Sequence, residues 1–196
     1  MKGVRDGVNL QGTTYTFLIM DCDNWGYAYI LQGSGVGSYG FYAYGFSPWY
    51  NGSGTTGVIM ANFIAMDAPK WSSGNYKLYT LEITTTGGGS AVIERWNCAS
   101  GSTLTYDNLN FGDGWLYKPL DISVDSNDYV YILDTRSDAS TVIWAYDNAG
   151  TLIGTSDPLS AAQMSGVPKR LDVALLPSPD EIHVLHSNGV TKFYME

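Results

Sequence analysis

The chain has 196 residues, a length that suits one large domain or two small ones. Lysine plus arginine number 10 against 19 aspartate plus glutamate, for a net charge of −9. That sign argues against phosphate backbones and anionic membrane surfaces as partners, because clustered Lys and Arg bind both. Charged residues make up 15% and hydrophobic residues 44%, so a folded chain is expected rather than a disordered one.

The 23 glycines and 15 tyrosines suit many short strands joined by tight turns. No stretch approaches the roughly 20 apolar residues of a membrane helix. The opening MKGVRDGVNLQGTTYTF holds no apolar core of a signal peptide. The chain is therefore expected to be intracellular, or else cut from a longer secreted precursor, which would place it outside the cell or in the periplasm. Cys22 and Cys98 can form one bridge, but they make neither a disulfide framework nor a CxxC metal pair.

In chain order, residues 7–10 (GVNL) read as a short strand, and four similar segments follow. They are FLIMDCDNWGYAYIL (17–31), FIAMDAPKWSSGNYKLYTLEI (63–83), LDISVDSNDYVYILD (120–134) and LDVALLPSPDEIHVL (171–185). Each is an apolar run, a polar turn and a second run with period-two alternation. Asp21, Asp67 and Asp125 open the first three turns, and Leu176 stands in the fourth. A third strand follows each pair, at GFYAYGF, AVIERWN, TVIWAYDNAG and GVTKFYM. In TVIWAY, Val142, Trp144 and Tyr146 share one face while Ile143 and Ala145 share the other. A fourth strand is expected at GVIMA, STLTY and GTLIG, and one helix at DPLSAAQM with Asp157 as N-cap.

Four strands recurring with a period near 50 residues predict an all-β fold, a β-propeller of four four-stranded blade-like repeats. The single domain spans 1–196, with repeats at roughly 14–60, 61–106, 118–155 and 168–196. Residues 7–10 are expected to pair with 189–195 and supply the last repeat's fourth strand. Closure within one chain gives a monomer; closure between chains gives a ring-closing homodimer. KPLDISVDSNDYVYILDT (118–135), continued by TVIWAYDNAGTLIG, resembles the NHL-type β-propeller repeat, and PKRLDVALLPSPDEIHVL repeats it more loosely. Asp128 stands where that family usually has glycine. The resemblance implies the propeller fold and leaves activity open, because propellers host binding, scaffolding and hydrolysis.

The remaining motifs carry little chemistry. GVGSYG (35–40) fits G-x-G-x-x-G but precedes a strand, whereas a dinucleotide fingerprint opens a helix. DCDNWG (21–26) starts like a calcium loop, yet Trp25 and Gln32 occupy ligand positions. His183 and His186 lie three apart on a predicted strand, so they face opposite ways and cannot share a metal. Asp107, Asp113, Asp134 and Asp138 are candidate carboxylates for glycoside chemistry, read as solvated loop residues. No catalytic, metal or cofactor site is therefore assigned, and the enzyme question stays open with the balance toward none.

The aromatics Trp49, Tyr50, Trp115 and Tyr117 lie between repeats and are the candidate ligand-binding residues. The alternative is that these rings pack between blades. Asn51-Gly52-Ser53 is also a glycosylation sequon. The expected function is a non-catalytic binding or scaffolding module that recognises a protein or carbohydrate ligand through one loop face. The competitors are a metal-dependent lactonase or glycosidase-type enzyme and a structural subunit of an extracellular or virion assembly.

Overall fold

Every regular element among the described residues of the computed structural model is a β-strand. The structure describes residues 16–22, 27–33, 39–45, 63–68, 77–83, 91–99, 103–107, 116–160, 163–174 and 181–194. Within them four antiparallel sheets follow one another along the chain. The first holds β1 (Thr16–Cys22), β2 (Tyr27–Gly33) and β3 (Tyr39–Gly45). The second holds β4 (Phe63–Asp67), β5 (Lys77–Ile83), β6 (Ala91–Ala99) and β7 (Thr103–Asp107). The third holds β8 (Pro119–Val124), β9 (Val130–Thr135), β10 (Thr141–Tyr146) and β11 (Leu152–Thr155). The fourth holds β12 (Pro168–Ala174), β13 (Glu181–His186) and β14 (Gly189–Tyr194). In each sheet the strands pair in chain order. The segments 7–10 and 57–61 lie outside the described residues.

One irregularity recurs in all four sheets. The register between the first and second strands shifts at Phe17/Ile19, Phe63/Ala65, Pro119/Asp121 and Pro168/Arg170. A bulge leaves one residue unpaired and sharpens the local twist, so its repetition gives the repeats a common frame. In that frame Leu31, Leu81, Leu133 and Leu185 are equivalent, each facing the residue after the shift. The equivalents of Asp21 are Asp67, Ser123 and Asp172, which face Tyr29, Tyr79, Tyr131 and His183. This corrects the alignment expected from turn aspartates, which set Asp125 and Leu176 beside Asp67. Asp125 instead caps the β8–β9 turn, accepting the backbone N–H groups of Asn127 (2.8 Å) and Tyr129 (2.9 Å).

The second, third and fourth sheets stack in sequence through their faces, and their first strands meet: β4 contacts β8, and β8 contacts β12. The third sheet is buried on both sides, as the alternation in TVIWAY requires. Val142, Trp144 and Tyr146 pack with Tyr79, Leu81 and Ile93 of the second sheet. Ile143 packs the other way, with Tyr131 and Leu133, onto Leu171, Val173, Ile182 and Val184 of the fourth. Burying a side chain of this size contributes about 1.5–3 kcal/mol, so these two seams dominate cohesion between sheets.

Polar groups lace the same seams between the first strands of neighbouring sheets. The buried Asp67 carboxylate accepts the Ser123 hydroxyl (3.0 Å) and the Val124 N–H (2.6 Å). Ser123 Oγ in turn accepts the Val173 N–H (3.1 Å), one sheet further on. Asp121 accepts the Leu171 N–H (2.7 Å) and the Arg170 guanidinium (3.2 Å). Burial pushes the Asp121 carboxyl above its ordinary value, although these donors pull it down. At the β8–β9 and β10–β11 turns Lys77 pairs with Asp128, and Arg95 donates to the Asn148 carbonyl (2.7 Å), tying the second sheet to the third.

Three successive turns of the third sheet share one geometry. In DSNDY, RSDAS and DNAGT the first residue's N–H bonds the fifth's carbonyl, and the fourth's N–H bonds the first's carbonyl. The fourth residue is left-handed in each: Asp128 at φ 65°, Ala139 at 66° and Gly150 at 82°. This is a type I turn closed by a residue in the left-handed region, and it explains why glycine is the residue expected at position 128.

The expected helix at 157–164 is not formed over its described part. Ser156 and Leu159 donate their N–H groups to the carbonyls of Ile143 and Thr141 (both 2.8 Å), so the chain keeps following β10 past Asp157. Helical bonding starts only at Ser160, whose carbonyl accepts the Met164 N–H (2.8 Å). There Ser160 and Gln163 form a reciprocal capping pair, the Gln163 side chain accepting the Ser160 N–H (2.9 Å) and Ser160 Oγ accepting the Gln163 N–H (3.3 Å).

Two stability measurements check this account. Ala139→Gly should raise the unfolding free energy by about 1 kcal/mol and Gly150→Ala should lower it by about as much, since a left-handed residue with a Cβ costs roughly 1–2 kcal/mol. Asp67→Ala should cost about 1–3 kcal/mol in urea unfolding, the penalty for leaving the buried Val124 N–H without its acceptor.

Candidate loop-face site

Asp134 organises the end of the third sheet where the chain enters it. The carboxylate is fully buried and accepts three donors: the N–H groups of Tyr117 (3.1 Å) and Lys118 (2.7 Å), and the Trp144 indole N–H (3.1 Å). Asp134 lies on β9 and serves the scaffold, which corrects its reading as a solvated loop carboxylate. Sequence reading placed it in a loop because its partners are 16 and 17 residues upstream and 10 downstream.

The pinned strap presents an aromatic ring outward. Leu116 turns into the core between the second and third sheets, while the next side chain, Tyr117, is 61% exposed. Arg136, at the start of the β9–β10 turn, stacks its guanidinium 5.5 Å from the Trp144 ring centroid. In that turn Asp138 is exposed and accepts both the N–H (2.9 Å) and the hydroxyl (2.6 Å) of Ser140, bonds that hold its carboxyl below the ordinary value. One end of the sheet thus combines a flat exposed ring with fixed polar groups of both signs. Trp49, Tyr50, Trp115 and Asp113 lie outside the described residues. Asp107 ends β7 opposite Arg95.

A pair of carboxyls that sequence reading missed sits at the matching place in the second sheet. Glu82 faces Phe63 as Asp134 faces Pro119, and Glu94 stands opposite Thr80 as Trp144 stands opposite Ile132. Where Asp134 meets an indole donor, Glu82 meets another carboxyl. Burial first, then the neighbouring Glu94 charge and their shared hydrogen bond, push Glu82 up to about 8, and burial raises Glu94 as well. One carboxyl oxygen of Glu82 is buried without a hydrogen-bond partner. The only sequence signal was a glutamate on each of two adjacent predicted strands, and without the register nothing placed them diagonally.

The histidines part as expected. His186 is on the buried face of β13 and meets Thr191 Oγ1 (3.1 Å), while His183 is on the other face beside Glu181 (3.3 Å). Cys22 and Cys98 belong to different sheets. The segment before β3 that fits the glycine fingerprint leads into a strand. Among the described residues no group of three or more His, Cys, Asp or Glu side chains is placed to hold a metal ion.

The carboxyl pair sets a pH dependence. A carboxyl raised in the folded state stabilises fully below its unfolded value, near 4.5, and that contribution is lost as the pH rises toward 8. Thermal midpoints should therefore fall between about pH 5 and pH 8, and Glu82→Gln, which cannot ionise, should flatten that slope. An unchanged slope in the variant would remove Glu82 as its source.

No family model matches the chain, and no curated protein is similar to it.

Proposed function

We propose that the chain is a β-propeller-type binding module whose four sheets are its blades, and that it recognises a protein or glycan ligand through the end that carries Tyr117. The sequential face-to-face stacking of the second, third and fourth sheets, with contacts between successive first strands, supports the propeller reading. So do the left-handed turn at Asp128 and the resemblance of residues 118–154 to the NHL-type repeat. In this reading residues 7–10 add to the free edge of β14 and complete the fourth blade.

The observation that carries the function is the contrast between Tyr117 and its own backbone. The ring is exposed, yet the peptide beneath it is clamped by a buried carboxylate. A preorganised aromatic surrounded by polar groups binds without a large ordering cost. It suits the apolar face of a sugar or a protein hot spot.

A second reading, a glycosidase-like acid–base site, is favoured by one observation alone: Glu82 holds a proton near neutral pH beside a second carboxyl. Glycosidase activity lost in Glu82→Gln would establish it.

Tyr117→Ala separates recognition from folding. On a glycan array the variant should lose at least about tenfold in affinity, with an unfolding free energy within about 0.5 kcal/mol of the parent, as for surface substitutions. Asp134→Ala should instead cost about 3 kcal/mol, because three donors lose one acceptor at roughly 1 kcal/mol or more each. Glycan binding unchanged in Tyr117→Ala would remove the residue from the site. An array with no binding at all would move the ligand to the protein class.

A further inference from the structure

The outward face of the fourth sheet breaks the pattern set by the other sheets. In the second sheet Tyr79, Leu81 and Ile93 are buried against the third, and their register equivalents Tyr131, Leu133 and Ile143 are buried against the fourth. The equivalents in the fourth sheet are His183, Leu185 and Val190. Leu185 is 43% exposed, Val190 64%, and Tyr194 on the same face 57%. The charged members of this face, Arg170, Asp172, Glu181 and Lys192, all interact within the chain: Arg170 bonds Asp121, and Lys192 bonds Glu181. Beside them Leu185, Val190 and Tyr194 form an exposed apolar and aromatic group.

We propose that this face docks the first sheet of a second copy of the chain, so that two chains joined head to tail close a ring of eight sheets. The argument is continuity with the two seams already formed. The third sheet meets the second with Ile122, Val124, Val130, Ile132, Trp144 and Tyr146. The same register positions in the first sheet carry Met20, Cys22, Ala28, Ile30, Tyr42 and Tyr44. None of these is charged, and two are tyrosine, a residue enriched at interfaces.

The innermost strands match as well. Asp172 holds in β12 the position from which Asp67 and Ser123 accept an N–H of the following sheet. The receiving position in β1 is Cys22, the equivalent of Val124 and Val173. The contact is heterologous, and a two-fold axis closes it. It rests on the stacked-blade reading proposed above and not on what the Tyr117 end binds.

Sedimentation equilibrium of the full chain tests it. The expected species has twice the 21.4 kDa chain mass. Val190→Arg and, separately, Leu185→Lys should each weaken association at least about tenfold with unchanged far-ultraviolet circular dichroism. Both residues are exposed in the single chain, so neither substitution disturbs its fold. A monomer at every concentration overturns the proposal, and so does a dimer indifferent to both substitutions. Polymers longer than two chains overturn the closed ring. Each of these results leaves the glycan-array test of Tyr117 standing.

Discussion

The stack of the second, third and fourth sheets depends on a relay of hydrogen bonds between their first strands. A β-strand that meets another sheet edge-on leaves N–H groups facing protein rather than water, and a buried N–H needs an acceptor. Asp67 meets this need for Val124, and Ser123 meets it for Val173. The difference between the two residues has a cause. Ser123 faces the Asp67 carboxylate on one side and the Val173 amide on the other, so it must donate and accept at once. A hydroxyl does both, whereas a second ionised carboxylate would only accept and would repel the first.

Around that relay the apolar seams follow from strand alternation. A sheet of three or four short strands is marginal unless a face is covered. The third sheet has both faces covered, and β8, β9 and β10 are buried along almost their whole length. The fourth sheet has one covered face, and β13 alternates accordingly. The difference between Leu133, fully buried, and Leu185, exposed, lies in what stands next to the sheet rather than in the strand itself.

The same frame connects scaffold to site. Asp134 and Glu82 hold one register position in neighbouring sheets, and the residue diagonal to each decides its chemistry. Trp144 offers an N–H, so Asp134 becomes a clamp that orients Tyr117. Glu94 offers a carboxyl, so Glu82 keeps its proton into the neutral range. A clamp beneath an exposed ring and a titrating pair thus arise from one architectural position.

Strand content, the fourfold repetition, the two faces of TVIWAY and the separation of His183 from His186 were all legible in the residues, because they rest on short spacings along single strands and on the recurrence of that pattern about every 50 residues. The start of helical bonding at Ser160, the repeat phase that makes Ser123 the partner of Asp67, the burial of Asp134 and the meeting of Glu82 with Glu94 were not. Asp157 carries a good capping sequence, yet cross-strand bonds to Thr141 and Ile143 outweigh that local preference. Asp134 reads as a turn aspartate until residues 117, 118 and 144 converge on it. Local alternation determines that a residue points to a given face. Which groups wait on that face depends on register and on stacking between sheets some 50 residues apart, and only the assembled tertiary structure decides those.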